Sequence, residues 1–153
     1  NKNISFIWRN KDKETSIKNL IELRDFCKKN QRCFYISNDV KLAQKMNADG
    51  VYISSTNKNL NLKTTNLKKN FRIIGSAHNL KEIKIKELQN TEEIFLSPLF
   101  KKKTNKQLNI FRYLKLRATT KMNDISLGGI NNKNLKKLNM IKPFGFAGIS
   151  YFE

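Results

Sequence analysis

The chain has 153 residues, enough for one domain with a real core. Its 31 basic and 12 acidic residues give a formal charge of +19, with hydrophobic residues at 39% in short blocks. No apolar run approaches the length of a membrane span and no signal-peptide pattern opens the sequence, so no membrane partner and a cytoplasmic location are expected.

The charge invites a nucleic-acid reading. Lysine and asparagine, however, are spread through nearly every predicted helix and loop. Most basic residues are Lys, whereas readers of bases and phosphates favour Arg forks. No run of interleaved aromatics and glycines marks an RNA-binding surface. No specific nucleic-acid partner is expected, and affinity for anionic small molecules is the milder consequence. Cys27 and Cys33 belong to no CxxC or Cys/His cluster and read as two small core residues.

In chain order, short apolar strands alternate with amphipathic helices. Strands are expected at Ile4–Trp8, Cys33–Ser37, Gly50–Ser54, Phe71–Gly75, Ile94–Ser97, Asp124–Leu127 and Phe144–Ile149. Helices are expected at Thr15–Lys29, Asp39–Asn47, Leu80–Gln89, Ile110–Thr120 and Asn132–Asn139, with a weak one at Leu60–Leu67. Strand–helix alternation argues for an α/β fold with a parallel sheet, either doubly wound or a (β/α)8 TIM-type barrel. The whole chain, 1–153, reads as one domain.

Chemistry in such folds gathers where strands end. Arg9 and Lys11 follow the first strand at a two-residue spacing, and a guanidinium fork beside an ammonium suits a pyrophosphate. Asn38-Asp39 follows the second, where a carboxylate can bind Mg2+ shared with phosphate oxygens or simply cap a helix. The fourth end holds the lone histidine, His78. The fifth is followed by Lys101–Lys103 and Thr104, groups that can close over an anion or stay solvated. Gly128-Gly129 ends the sixth, and a helix starting near Asn131 would offer free N–H groups to a phosphate. The seventh ends in Gly148-Ile149-Ser150. Two small-residue endings in succession favour phosphate binding over a plain tight turn. Barrels often hold phosphate after strands seven and eight. Counting back makes Ile4–Trp8 strand two, with strand one expected before Asn1.

In order along the chain, FIWRNKD, FYISNDVKLAQKMNADGVYI, IIGSAHNLKEI, IFLSPLFKKKTNK, ISLGGINNKNLKKL and GFAGIS resemble motifs of the thiamine phosphate synthase and thiazole tautomerase family. The resemblance implies a (β/α)8 barrel, here lacking strand one, helix one and the final helix. Such a gap leaves two unpaired edges, to be covered by residues before Asn1 or by a partner chain in a homo-oligomer, or left imperfectly closed.

In the synthases a pyrimidine methyl diphosphate loses pyrophosphate, and the ring nitrogen of a thiazole phosphate captures the resulting cation. The resemblance implies these phosphorylated partners and Mg2+ as cofactor. It assigns Arg9 and Lys11 to pyrophosphate, Asn38 to the diphosphate substrate and Asp39 to Mg2+. It also assigns Ser76 to substrate, Thr104 to the thiazole-phosphate loop, and Gly128, Gly129, Ile149 and Ser150 to phosphate. His78 aligns with the acid/base histidine of the tautomerases. Asn57 stands where a second Mg2+ carboxylate is expected, and its neutral amide should lower metal affinity. Lys102 and Asn105 replace the first Thr and the Lys of the family's TxTK loop, and Ser97 replaces a glycine before Pro98. A divergent synthase is the first expectation, a tautomerase or a non-catalytic phosphate-binding barrel the alternatives.

Overall fold

The computed structural model describes residues 4–9, 17–62, 67–100, 108–148 and 151. All seven expected strands are present: β1 (Phe6–Trp8), β2 (Phe34–Ser37), β3 (Gly50–Ile53), β4 (Arg72–Ala77), β5 (Glu93–Leu96), β6 (Asn123–Leu127) and β7 (Gly145–Ala147). Five helices join them: α1 (Ile17–Lys29), α2 (Val40–Lys45), α3 (Leu80–Leu88), α4 (Asn109–Arg117) and α5 (Leu138–Ile141). Among the described residues, none is long and apolar enough to cross a membrane.

Strand order follows chain order from β1 to β7. The pairs β1–β2, β2–β3, β5–β6 and β6–β7 are parallel. The chain forms two compact units, residues 1–74 and 75–153, and β4 crosses the boundary. In the first unit the Arg72 N–H bonds Asp49 O at 3.0 Å, which sets β4 beside β3. In the second the Ser97 N–H bonds Ala77 O at 3.3 Å, which sets β5 beside β4. Within each unit the strands therefore follow chain order without reversal.

In the first unit Phe34, Ile36, Val51, Ile53 and Ile73 pack with Leu20, Cys27, Val40, Ala43 and Met46 of the helical layer. The alternate strand positions face the other way. Tyr35 opposes Gly50 and Ser37 opposes Tyr52, both tyrosines being buried. Gly50 has to be glycine because a Cβ there would lie 2.1 Å from Arg72 O and 2.9 Å from the Tyr35 ring. Arg32 lies over two rings, 5.6 Å from Phe6 and 5.4 Å from Phe26, tying β1 to the end of α1 by cation–π contact. Cys27 is a core residue as expected, but Cys33 is exposed: it stands at the turn into β2, before the strand begins to be covered.

In the second unit Ile83, Ile94, Leu96, Leu99, Tyr113, Leu138 and Ile141 form the core. Tyr113 is fully buried with its hydroxyl on Asp124 Oδ2 at 2.6 Å, and Ser126 Oγ donates to that hydroxyl at 2.9 Å. Burial and the Asp124 carboxylate together push the Tyr113 pKa far up. Lys86, also fully buried, donates to Gln89 Oε1 at 2.7 Å. Burial lowers its pKa to about 8, partly opposed by Glu82. Gly75 on β4 makes room for it, since a Cβ there would meet Lys86 Cδ at 2.8 Å.

Two helix expectations change. Instead of Asn132–Asn139, a 3-10 turn at Leu135–Lys137 leads into α5. Within Leu60–Leu67 the described residues hold no helix.

Candidate active site at the strand ends

In the first unit, β1, β2 and β3 end side by side. Arg9 follows β1, one residue beyond the Trp8–Ile36 pairing, and its guanidinium lies 5.7 Å from the centre of the Tyr52 ring. Asn38 follows β2 with φ of 61°, a left-handed conformation that Asn tolerates well. Its main-chain N–H bonds Tyr52 O at 2.8 Å. Its side chain accepts from the Ser54 N–H at 2.9 Å and donates to Ser54 Oγ at 3.1 Å, a two-way clamp between the ends of β2 and β3. Ser54 Oγ also lies 3.0 Å from Thr56 Oγ1, and Asn57 Nδ2 donates to Asn38 Oδ1 at 3.3 Å.

Asp39 is the N-cap of α2, accepting from the Leu42 N–H at 2.8 Å through Oδ1. The plainer of its two readings thus holds, and the cap uses only one carboxylate oxygen. Asn57 turns its amide oxygen to the Asn59 N–H at 3.0 Å. Among the described residues no group of three or more His, Cys, Asp or Glu gathers for a metal. This donor set fits a Mg2+ held by one carboxylate and by oxygens of a phosphorylated ligand, the arrangement magnesium favours. It does not form an all-protein cage.

In the second unit Ser76 is buried on β4 and His78 is exposed just beyond it. Asn79 caps α3 by accepting from the Glu82 N–H at 3.0 Å. Glu82 answers by accepting from the His78 N–H at 2.7 Å and from Asn79 Nδ2 at 2.9 Å. This reciprocal cap holds the histidine at the start of the helix. His78 Nδ1 lies 2.6 Å from Ser97 O, and a carbonyl only accepts, so Nδ1 carries the hydrogen and Nε2 is the basic nitrogen.

Gly128 and Gly129 end β6 with φ of 99° and 70°, which explains glycine at both positions. The expected free helix start does not follow. The Asn131 N–H bonds Asn134 Oδ1 at 2.9 Å, while the Lys133 and Asn134 N–H groups bond Asn131 Oδ1 at 3.0 and 3.2 Å. Asn134 Nδ2 donates to Gly129 O at 2.7 Å. An anion here would have to use the glycines' own amides. Lys11, Lys101–Lys103, Thr104, Asn105, Ile149 and Ser150 lie outside the described residues. Sequence reasoning did not single out Tyr52, Ser54, Thr56 or Glu82. The capping signal Asn79-x-x-Glu82 was present to find the last, and nothing in composition marks the others.

Sequential strands with polar groups at their carboxyl ends define an α/β protein of the kind that carries its chemistry in strand-end loops. Residues 4–152 match the family model described as thiamine monophosphate synthase, and the chain belongs to that family. It is 31% identical to the thiamine-phosphate synthase of Pelagibacter ubique, covering 97% of this chain and 74% of that one. It is 26% identical to the synthase of Hydrogenobaculum, covering 96% and 70%. Against a synthase of Prochlorococcus marinus it is 30% identical and spans about a third of that relative, 35%. The structure resembles that of thiamine phosphate pyrophosphorylase from Pyrococcus furiosus with a TM-score of 0.74, at 20% identity, over 91% of this chain and 70% of that one. At that identity the likeness speaks for the fold.

Proposed function

We propose that the chain is a divergent thiamine phosphate synthase, joining hydroxymethylpyrimidine diphosphate to a thiazole phosphate with release of pyrophosphate. The observation that carries the reading is the family match across residues 4–152. Arg9, Asn38 and Asp39 at adjoining strand ends support it.

The chemistry asks little of side chains as nucleophiles. The C–O bond of the pyrimidine methyl diphosphate breaks, its electron pair leaves with pyrophosphate, and the thiazole nitrogen's lone pair forms the new C–N bond. The protein's task is to align the two rings and to stabilise charge on the leaving group. Arg9 and Lys11 bind the pyrophosphate. Asn38, rigid through its clamp on Ser54, shapes the diphosphate pocket. Asp39 would hold Mg2+, which supplies Lewis-acid neutralisation of the diphosphate when bound. Ser76 contacts substrate, and Thr104, Gly128, Gly129, Ile149 and Ser150 bind the thiazole phosphate.

The test is a one-pot reaction of protein, Mg2+, the pyrimidine diphosphate and the thiazole phosphate, with thiamine phosphate sought by mass spectrometry. Product is expected, and folded protein that yields none would remove the reading. One observation favours a second activity, thiazole tautomerisation: His78 presents a basic Nε2, oriented through Ser97 O. Loss of isomerisation in His78→Ala would support it.

A further inference from the structure

We propose that Tyr52 is a positioning residue that holds Arg9 for an oxyanion ligand, a role that rests on the synthase reading above. Arg9 leaves the end of β1 and is exposed, and among the described residues no hydrogen bond or ion pair holds its guanidinium. What it meets is the Tyr52 ring, 5.7 Å from guanidinium carbon to ring centre. That ring belongs to a strand two places away. By register Arg9 stands one residue past the Trp8–Ile36 pair, level with Ser37, and Ser37 pairs with Tyr52. Two strand spacings are about 10 Å, a gap that the Arg9 side chain and the Tyr52 ring bridge together. The small Ser37 between them leaves the path open.

The platform is firm. Tyr52 is 4% exposed, and its carbonyl accepts the Asn38 N–H at 2.8 Å, which ties it to the Asn38–Ser54 clamp. A guanidinium drawn to a ring by cation–π attraction spends none of its N–H donors on an acceptor and keeps them for a ligand. An acidic neighbour would occupy those same donors and cancel the charge; a neutral ring does neither. The ring therefore orients the fork before the anion arrives and limits the entropy lost on binding.

The test uses the whole chain and inorganic pyrophosphate with Mg2+ as the probe. NMR should show the Arg9 side-chain methylene protons shifted upfield by the ring in the wild type and in Tyr52→Phe, and unshifted in Tyr52→Leu. Calorimetry should show pyrophosphate binding about three- to tenfold weaker in Tyr52→Leu, the range expected for a partly shielded cation–π contact. Tyr52→Phe should stay within about twofold of the wild type, since the ring rather than its hydroxyl carries the contact. In an Arg9→Ala background Tyr52→Leu should add nothing, because the tyrosine acts through the arginine. The same loss in both backgrounds overturns the proposal, as do unshifted protons in the wild type. Shifted protons with no pyrophosphate binding overturn the synthase reading and the positioning role, leaving a packing contact. If Tyr52→Leu does not fold, Tyr52→Met, closer in volume, takes its place with the same expectations.

Discussion

Asn38 and Ser54 hold each other in both directions: the amide oxygen accepts the Ser54 N–H at 2.9 Å and the amide nitrogen donates to Ser54 Oγ at 3.1 Å. No other side chain serves as well, because donor and acceptor are both needed and the backbone sits at φ 61°. Asn38→Ala should lose about 2 kcal/mol in denaturant unfolding, from three side-chain hydrogen bonds, the Asn57 one long at 3.3 Å, and a left-handed backbone. Asn38→Gly should recover the backbone part alone. Equal stability of the two variants would deny the conformational share.

Asp39 combines a cap with the proposed metal site, and one substitution separates the roles. Asp39→Ser keeps an N-cap oxygen and should stay within about 0.5 kcal/mol of the wild type. Asp39→Ala should cost about 1 kcal/mol in stability. Both should lose thiamine phosphate formation, since neither supplies a carboxylate. Product formation that survives in Asp39→Ser would move the metal elsewhere.

Asn57→Asp puts a carboxylate where the family string has one. Its charge should lower the Mg2+ concentration needed for half-maximal product formation by about tenfold, the scale of one added ligand charge. Mg2+ titration of the one-pot reaction gives the answer. An unchanged midpoint would mean that residue 57 does not face the metal.

Lys86 makes stability depend on pH in a direction unusual for lysine. Its folded value, about 8, lies below its ordinary 10.5. Between those values the unfolded chain binds more protons than the folded one, so stability rises with pH through that window. The gain is at most about 3 kcal/mol. Cys27 and Tyr113, both raised on folding, oppose it above their ordinary values of 9.0 and 10.0. The clearest interval is therefore pH 8 to 9. The wild type should gain in melting temperature there relative to Lys86→Met. Parallel curves would show that the ammonium is not desolvated.

Tyr113→Phe removes one hydroxyl and orphans two partners, Asp124 Oδ2 and Ser126 Oγ, inside the core. A loss of about 2 kcal/mol is expected. Asp124 keeps Arg117 Nε at 3.2 Å, which limits the damage. A second substitution, Ser126→Ala, should then cost little, because its partner is already gone. Unfolding of the single and double variants checks both.

The strands were legible because each is a short, mostly apolar block, fully buried in β3 as Val51 and Ile53 are, although β1 and β7 hold no buried residue. The strand-end residues were legible through their order along the chain. What escaped was the work of asparagine. From 57 to 61 each second residue takes the next N–H: Asn57 Oδ1 accepts from Asn59 N and Asn59 Oδ1 from Asn61 N. Asn131 and Asn134 do the same after Gly129. These local bonds compete with helix formation, so apolar spacing alone overstated the helix after Gly129. Lys86 escaped because a lysine reads as solvated, and its burial depends on Gly75, a glycine on the neighbouring strand.

The two thiols differ sharply in access: Cys33 is open to solvent and Cys27 lies within the first unit's core. The chain thus carries its own clock for local opening. A thiol reagent should label Cys33 at once and Cys27 only when α1 lifts from β2, so the slow phase reads out how often that layer separates while the rest of the molecule stays folded.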